Sequence, residues 1–178
     1  MRQSAKLSRV LLISAAFFTA SAAHADPSGL RVTALTGLER TDSAPGTGAQ
    51  DGVYYGGQIG YDWDLGGLQA GFEGELGGSS ARDPLVNTGA RQGLFANAAV
   101  RVALPVTDRT RVFARGGYAY HEVTYTSAPK FAGSGYTLGG GGELDLGDRL
   151  LLRVEYRYSD YGNQVRGQHF VAGLGIRF

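Results

Sequence analysis

The 178-residue chain contains no cysteine. A disulfide framework and a thiolate metal site are therefore both excluded. No segment after the amino terminus comes close to 18 consecutive apolar residues, which excludes a membrane protein built of spanning helices. Charge of one sign is lacking too. The formal net charge is +1, with 17 basic and 16 acidic side chains. No basic stripe runs along the chain, so nucleic acid is not among the expected partners. Metal-ligand spacing is absent, because the histidines of the body of the chain, His121 and His169, stand far apart in sequence. The run Gly139–Gly142 lacks the Lys-Ser/Thr pair and following helix of a phosphate loop. No cofactor is expected.

The amino terminus carries an address. Arg2, Lys6 and Arg9 precede an apolar run from Val10 to Ala20, and Ala23-His24-Ala25 supplies the small residues that a signal peptidase reads. Residues 1–25 are read as a secretory signal peptide and 26–178 as a single domain. Cleavage removes three basic residues, so the exported product is slightly acidic, with a net charge of −2.

What remains alternates. Phe170, Ala172, Leu174, Ile176 and Phe178 share one parity, while His169, Val171, Gly173, Gly175 and Arg177 share the other. Period-2 patterning of this length describes a strand with an apolar and a polar face. Seven earlier segments repeat it, beginning near Leu30, Tyr55, Leu68, Leu94, Val112, Tyr136 and Leu150. Each is about 10 residues long or slightly more, the length of a tilted strand that crosses a hydrocarbon core. Tight turns at 64–67, 105–108 and 146–148 alternate with longer polar links at roughly 41–52, 77–92, 122–134 and 160–167. An even strand count with alternating short and long connections predicts an eight-stranded antiparallel up-and-down transmembrane barrel, both termini on the short-turn, periplasmic side.

Side chains then sort by parity. The outward aromatics Tyr55, Tyr118, Tyr120, Tyr136, Tyr156 and Tyr158 are assigned to a girdle on the loop side, and Tyr61 and Trp63 to one on the turn side. The inward set includes Arg31, Glu73, Glu75, Arg101, Arg111, Arg115, Glu143, Arg153, Glu155 and Arg157. Both signs at similar depth imply a buried salt-bridge network filling the narrow interior of a small barrel. The glycines at 139–142 are read as a local thinning of the wall or as room for a large inward neighbour.

The stretch GDRLLLRVEYRYSDYG at 147–162, followed by the closing VAGLGIRF, resembles the small outer-membrane β-barrels of the OmpA-like and opacity-type surface-antigen group. The resemblance implies a cell outer-membrane location and contacts with outer-membrane lipid and lipopolysaccharide, while the peptidoglycan-binding domain of larger relatives is not expected after this barrel. It also implies that Phe170, Ala172, Leu174, Ile176 and Phe178 form the terminal signal read by the outer-membrane assembly machinery. The expected role is structural and interactive at the cell surface, with four loops of roughly 8–16 residues meeting any extracellular ligand. Two other readings stay open. One is a narrow channel for ions or very small solutes. The other is a lipid A-modifying enzyme using Ser159 with His121 or His169, for which no oxyanion donor is evident.

Overall fold

A computed structural model describes residues 28–42, 49–80, 91–124, 131–162 and 165–178. Residues 1–27, which include the expected signal peptide, and parts of the long connections lie outside these. Eight strands follow in chain order: β1 (Gly29–Asp42), β2 (Gln50–Asp64), β3 (Gln69–Ser79), β4 (Arg91–Pro105), β5 (Thr110–Thr124), β6 (Phe131–Asp145), β7 (Leu150–Asp160) and β8 (Arg166–Arg177). Each pairs antiparallel with its neighbours in sequence, and β8 pairs with β1 from Arg31↔Arg177 to Asp42↔Arg166. The Phe178 amide donates to the Leu30 carbonyl at 2.9 Å, extending that seam to the last residue. Closure leaves no sheet edge around the belt, so the ladder groups there pair with one another without water, as a lipid environment demands.

The turns are closed by side chains that cap their own backbone. The Asp64 carboxylate accepts from the Gly66 and Gly67 amides at 2.8 and 3.4 Å. Both glycines have positive φ, 82° and 98°, a conformation that a Cβ disfavours. Thr107 Oγ1 accepts from the Thr110 amide at 3.0 Å in the next turn.

The strands are longer than the apolar pattern predicts, 11 to 15 residues. The four long connections shrink accordingly to 43–49, 80–90, 125–130 and 161–165. The expected boundaries were displaced because polar, glycine-rich stretches have loop composition yet continue the ladder. Gly52 pairs with Glu39, Gly77 with Phe95, Gly133 with His121, and Gly167 with Ser159. These residues form a rim above the apolar belt, where strand faces no longer need to be greasy.

The belt is the barrel's outer face. Val32, Ile59, Phe72, Val100, Leu138 and Leu174 are all exposed, as lipid-facing side chains must be in a protein stripped of its membrane. The inner face is buried and mostly polar. The molecule thus inverts the arrangement of a water-soluble fold.

Candidate functional site: the filled lumen and its rim

The lumen is built by parity. Odd residues of β1 and β3–β8 and even residues of β2 point inward. Large inward side chains lie beside glycines on the adjoining strand. Arg31 and Glu73 flank Gly60, Asp62 and Arg101 flank Gly71, Arg115 and Arg157 flank Gly139, and Phe113 and Glu155 flank Gly141. A Cβ at Gly139 would stand 2.7 Å from Glu155 Oε1, and one at Gly141 would strike the Val154 carbonyl. Glycine here makes room for ionic neighbours.

Those neighbours form one continuous network. Glu73 Oε1 accepts from Arg31 Nη2 and Arg153 Nη1, each at 2.7 Å, and from Arg101 Nη1 at 3.3 Å. Its other oxygen lies 3.2 Å from Arg115 Nε. Arg101 holds Glu143 with both Nη atoms, at 2.8 and 3.1 Å. Arg157 holds Glu75 the same way, at 2.7 and 3.0 Å. Glu155 accepts from Arg153 at 2.9 Å and Arg157 at 3.0 Å. Glu143 and Arg153 meet across the β6–β7 ladder at 3.1 Å. The eight residues singled out from parity, Glu73, Glu75, Arg101, Arg115, Glu143, Arg153, Glu155 and Arg157, therefore all lie in this network.

Its ends extend further than that set. Arg31 binds Asp62, and Arg111 binds Asp145. Arg177 lies 3.5 Å from Glu143 and 3.6 Å from Asp145. With Glu39 at the rim, the seven lumen arginines stand against seven carboxylates, so the filling is neutral. Phe113 adds an aromatic face, with the Arg153 guanidinium 4.0 Å and that of Arg101 4.9 Å from its ring centre. At the turn end the network opens into a polar vestibule of about 910 Å³ lined in part by Gln69, Arg111, Asp145 and Arg177.

Toward the loops the lumen changes character. Leu35, Tyr54, Phe95, Ala119, Tyr161 and Val171 form a buried apolar layer above the charges. Tyr54 joins the layers, because its hydroxyl donates to Glu75. The Tyr54 and Phe95 rings pack edge to face, 5.6 Å apart. Parity alone could have revealed these residues: Tyr54 shares that of Gln58 and Asp62, and Phe113 that of Arg111 and Arg115. Attention to charge hid the inward aromatics.

At the rim, the residues that the enzyme reading would join make their polar contacts elsewhere. His169 Nε2 lies 3.4 Å from Glu39 on β1, whereas the Ser159 hydroxyl donates to Thr137 on β6 at 3.2 Å. His121 stacks on Tyr161 at 4.5 Å between ring centres. Among the described residues no Ser–His hydrogen bond forms at the rim.

On the outer face, Phe170, Ala172, Leu174 and Phe178 are exposed along β8 and its terminus, with Ile176 half-exposed. Tyr61, Trp63 and Phe72 cluster at the turn end, with Trp63 5.0 Å from Tyr61 and 5.6 Å from Phe72 between ring centres. Tyr55, Tyr120 and Tyr156 are exposed higher on the wall, and Tyr158 is half-exposed. Tyr118 and Tyr136 pair across strands nearer the middle of β5 and β6. There the Tyr118 hydroxyl hydrogen-bonds Ser134 at 2.8 Å, so its polar atom is satisfied by the wall itself.

A closed eight-stranded barrel with an apolar outer belt and an ion-paired lumen defines the outer-membrane class of β-barrel. The chain belongs to the outer membrane protein beta-barrel domain family, which matches residues 10–178. It is similar to the 31 kDa outer-membrane immunogenic protein of Brucella melitensis biotype 1, at 28% identity over 159 residues, covering 73% of this chain and 64% of that protein. It is also similar to the 25 kDa outer-membrane immunogenic protein of Brucella ovis, at 48% identity over 44 residues, or 25% of this chain and 22% of that one. The chain thus spans less than two thirds of the length of these curated relatives. Among solved structures, Neisserial surface protein A superposes with a TM-score of 0.65 at 15% identity, covering 85% of this chain and 98% of that one. Ail, the attachment invasion locus protein of Yersinia pestis, gives 0.59 at 10%, covering 84% and 99%. At such identities the likeness is one of fold. The family and its relatives make this an outer-membrane protein.

Proposed function

We propose that this protein is a structural and surface-interaction barrel: a sealed wall element that stabilises the envelope and holds four short loops outward. The carrying observation is the lumen. A neutral network of guanidinium and carboxylate groups in series with the Tyr54–Phe95 layer leaves the interior filled by side chains. A filled barrel is a rigid platform, so recognition falls to what the rim displays. The 43–49, 80–90, 125–130 and 161–165 connections are the proposed contact surface. The structure of Ail with the heparin analogue sucrose octasulfate puts sulfated glycans among the ligands to screen.

In this reading residues 1–25 export the chain, the turns face the periplasm, and the outward side chains of β8 ending at Phe178 guide assembly. The filled interior argues against the channel reading, and the Ser159 hydroxyl's bond to Thr137 rather than to a histidine argues against the enzyme. The test is conductance of the refolded chain in planar bilayers, together with binding by variants whose 80–90 connection is replaced by a short Gly-Ser link. The proposal expects electrically silent bilayers and altered binding with intact heat-modifiable gel mobility. A steady, charge-selective conductance from the unaltered chain would replace it with the channel reading.

A further inference from the structure

The lumen as a whole is neutral, but its two parts are not. Glu39 stands above the apolar layer, beyond Leu35 on β1, and its partner there is His169. Below the layer seven arginines therefore face six carboxylates. Six of the arginines each have a hydrogen-bonded carboxylate. Asp62 holds Arg31, Glu143 holds Arg101 and Asp145 holds Arg111. Glu73 holds Arg153, Glu75 holds Arg157 and Glu155 holds Arg115. Arg177 is the cation left over. Its carboxylate neighbours, Glu143 and Asp145, stand at 3.5 and 3.6 Å and are already held by other arginines. Its Nη2 has no hydrogen-bond partner among the described residues, although Arg177 is only 4% exposed. A buried charge without a bonded counter-ion is costly, and an anion brought from outside relieves that cost.

Arg177 lines the turn-end vestibule, whose volume of about 910 Å³ lies within the roughly 300–1,000 Å³ of small-molecule sites. Charge is sorted by depth there. The floor holds the buried Arg111 and Arg177 with the half-buried Asp145, two cations against one anion. Arg111 Nε also lacks a hydrogen-bond partner among the described residues. The mouth holds exposed aspartates from all three turns, Asp64, Asp108 and Asp148, with Arg109 as the lining cation at that level. Asp64 is engaged in its own turn through the Gly66 and Gly67 amides, whereas Asp108 and Asp148 face solvent.

We propose that this vestibule binds a short zwitterionic peptide, with its terminal carboxylate on the Arg177 guanidinium and its ammonium among the mouth aspartates. A fork of N–H donors matches the two oxygens of a carboxylate. A mouth lined mostly by one sign of charge favours the opposite sign, so the aspartates turn away compact polyanions such as phosphate. A ligand whose single negative group enters ahead of a positive one meets both layers in order. The carboxylate then bonds at a floor shielded from water, where a charge-assisted contact is stronger than at an exposed site. With the turns in the periplasm, as proposed, such peptides come from that compartment. Binding to the purified protein does not depend on that placement.

The test titrates alanyl-alanine onto the refolded, isotope-labelled full chain in detergent micelles and follows the arginine side-chain N–H signals by NMR. A saturable shift at millimolar peptide is expected, led by the signal that Arg177→Gln deletes. Affinity should fall roughly tenfold in Arg177→Gln, the scale of one charge-assisted bond at a shielded site. It should fall about threefold in Asp108→Asn/Asp148→Asn, the scale of exposed pairs. Arg166→Gln, at the loop end, should leave it unchanged. Heat-modifiable mobility checks that each variant is folded. Because Arg177 is the cation left over, its removal should leave the urea midpoint unchanged or raise it. A clearly lowered midpoint would show that Arg177 is paired and overturn the premise. The competition arms use the unaltered chain and need no variant. N-acetyl-alanyl-alanine and inorganic phosphate should both bind more weakly than the dipeptide. Equal binding by either would reduce the site to a simple anion trap and overturn the proposal. No saturable shift, or equal affinity in Arg177→Gln, would overturn the site itself.

Discussion

Replacing Glu73 by Gln keeps the volume of the side chain and deletes one negative charge at the centre of the lumen. Four arginines lie within 3.3 Å of its oxygens: Arg31, Arg153, Arg101 and Arg115. The Glu73 side chain has no exposed surface, so water cannot replace the lost charge. Stranding a buried charge costs about 3–5 kcal/mol. The lower end applies here, because Glu143 still neutralises Arg101, Glu155 still neutralises Arg153, and Asp62 still holds Arg31. Glu73→Gln should therefore destabilise the barrel by about 3 kcal/mol, and Arg153→Met by a similar amount. The two together restore neutrality, and the double variant should be more stable than the sum of the single losses by about 1–3 kcal/mol. Urea unfolding from lipid vesicles measures this. Trp63 is the one tryptophan in the chain and faces outward at the turn end, so its emission reports departure from lipid. Single losses below about 1 kcal/mol, or strict additivity in the double variant, would refute an electrostatically coupled lumen.

Three further outcomes follow from the packing. Gly141→Ala should cost about 1–3 kcal/mol, because its methyl group strikes the Val154 carbonyl, while Gly57→Ala, with nothing within 4 Å, should be neutral in the same unfolding assay. Phe113→Leu should cost about 1–2 kcal/mol in that assay, through loss of the ring face under Arg153 and Arg101, and Phe113→Tyr should retain most of it. Removing Phe178 should slow insertion in cells, seen as unfolded protein in pulse-chase gels, yet leave refolding into vesicles within about twofold of the full chain, since one backbone bond to Leu30 is all the seam loses. A refolding defect as large as the cellular one would make Phe178 a stability residue.

The strand faces were legible because a period of two is local: Leu174 and Arg177 declare their sides without reference to any other strand. Strand ends were not legible from composition. Gly133 and Gly167 look like loop residues, and only the ladder shows them paired with His121 and Ser159. Ion-pair partners were harder still. Arg153 and Glu73 are 80 residues apart in sequence, and they meet because strand tilt and closure bring them to one depth across the lumen. Alternation supplies the side on which a residue points, whereas depth depends on the accumulated register of every intervening strand. Glu143 and Arg153 were within reach of sequence reasoning because they share one ladder. Arg177 was not linked to Glu143 for the opposite reason, since their strands, β8 and β6, are separated by β7.

Glycine content and interior charge are two aspects of one solution. An arginine pointing into so narrow a barrel needs more room than a flanking Cβ leaves, so the strand beside it carries glycine, as Gly60, Gly71 and Gly139 do. Glycine weakens a strand, and the ionic filling that it admits ties the same strands together across the lumen. Glu73 on β3 is bonded to arginines on β1, β4 and β7, which no ladder joins into one group. The network therefore braces the barrel along chords while hydrogen bonds brace it around the circumference. A wall held both ways has little freedom to open a path, which is the physical ground for assigning recognition to its rim and turn end.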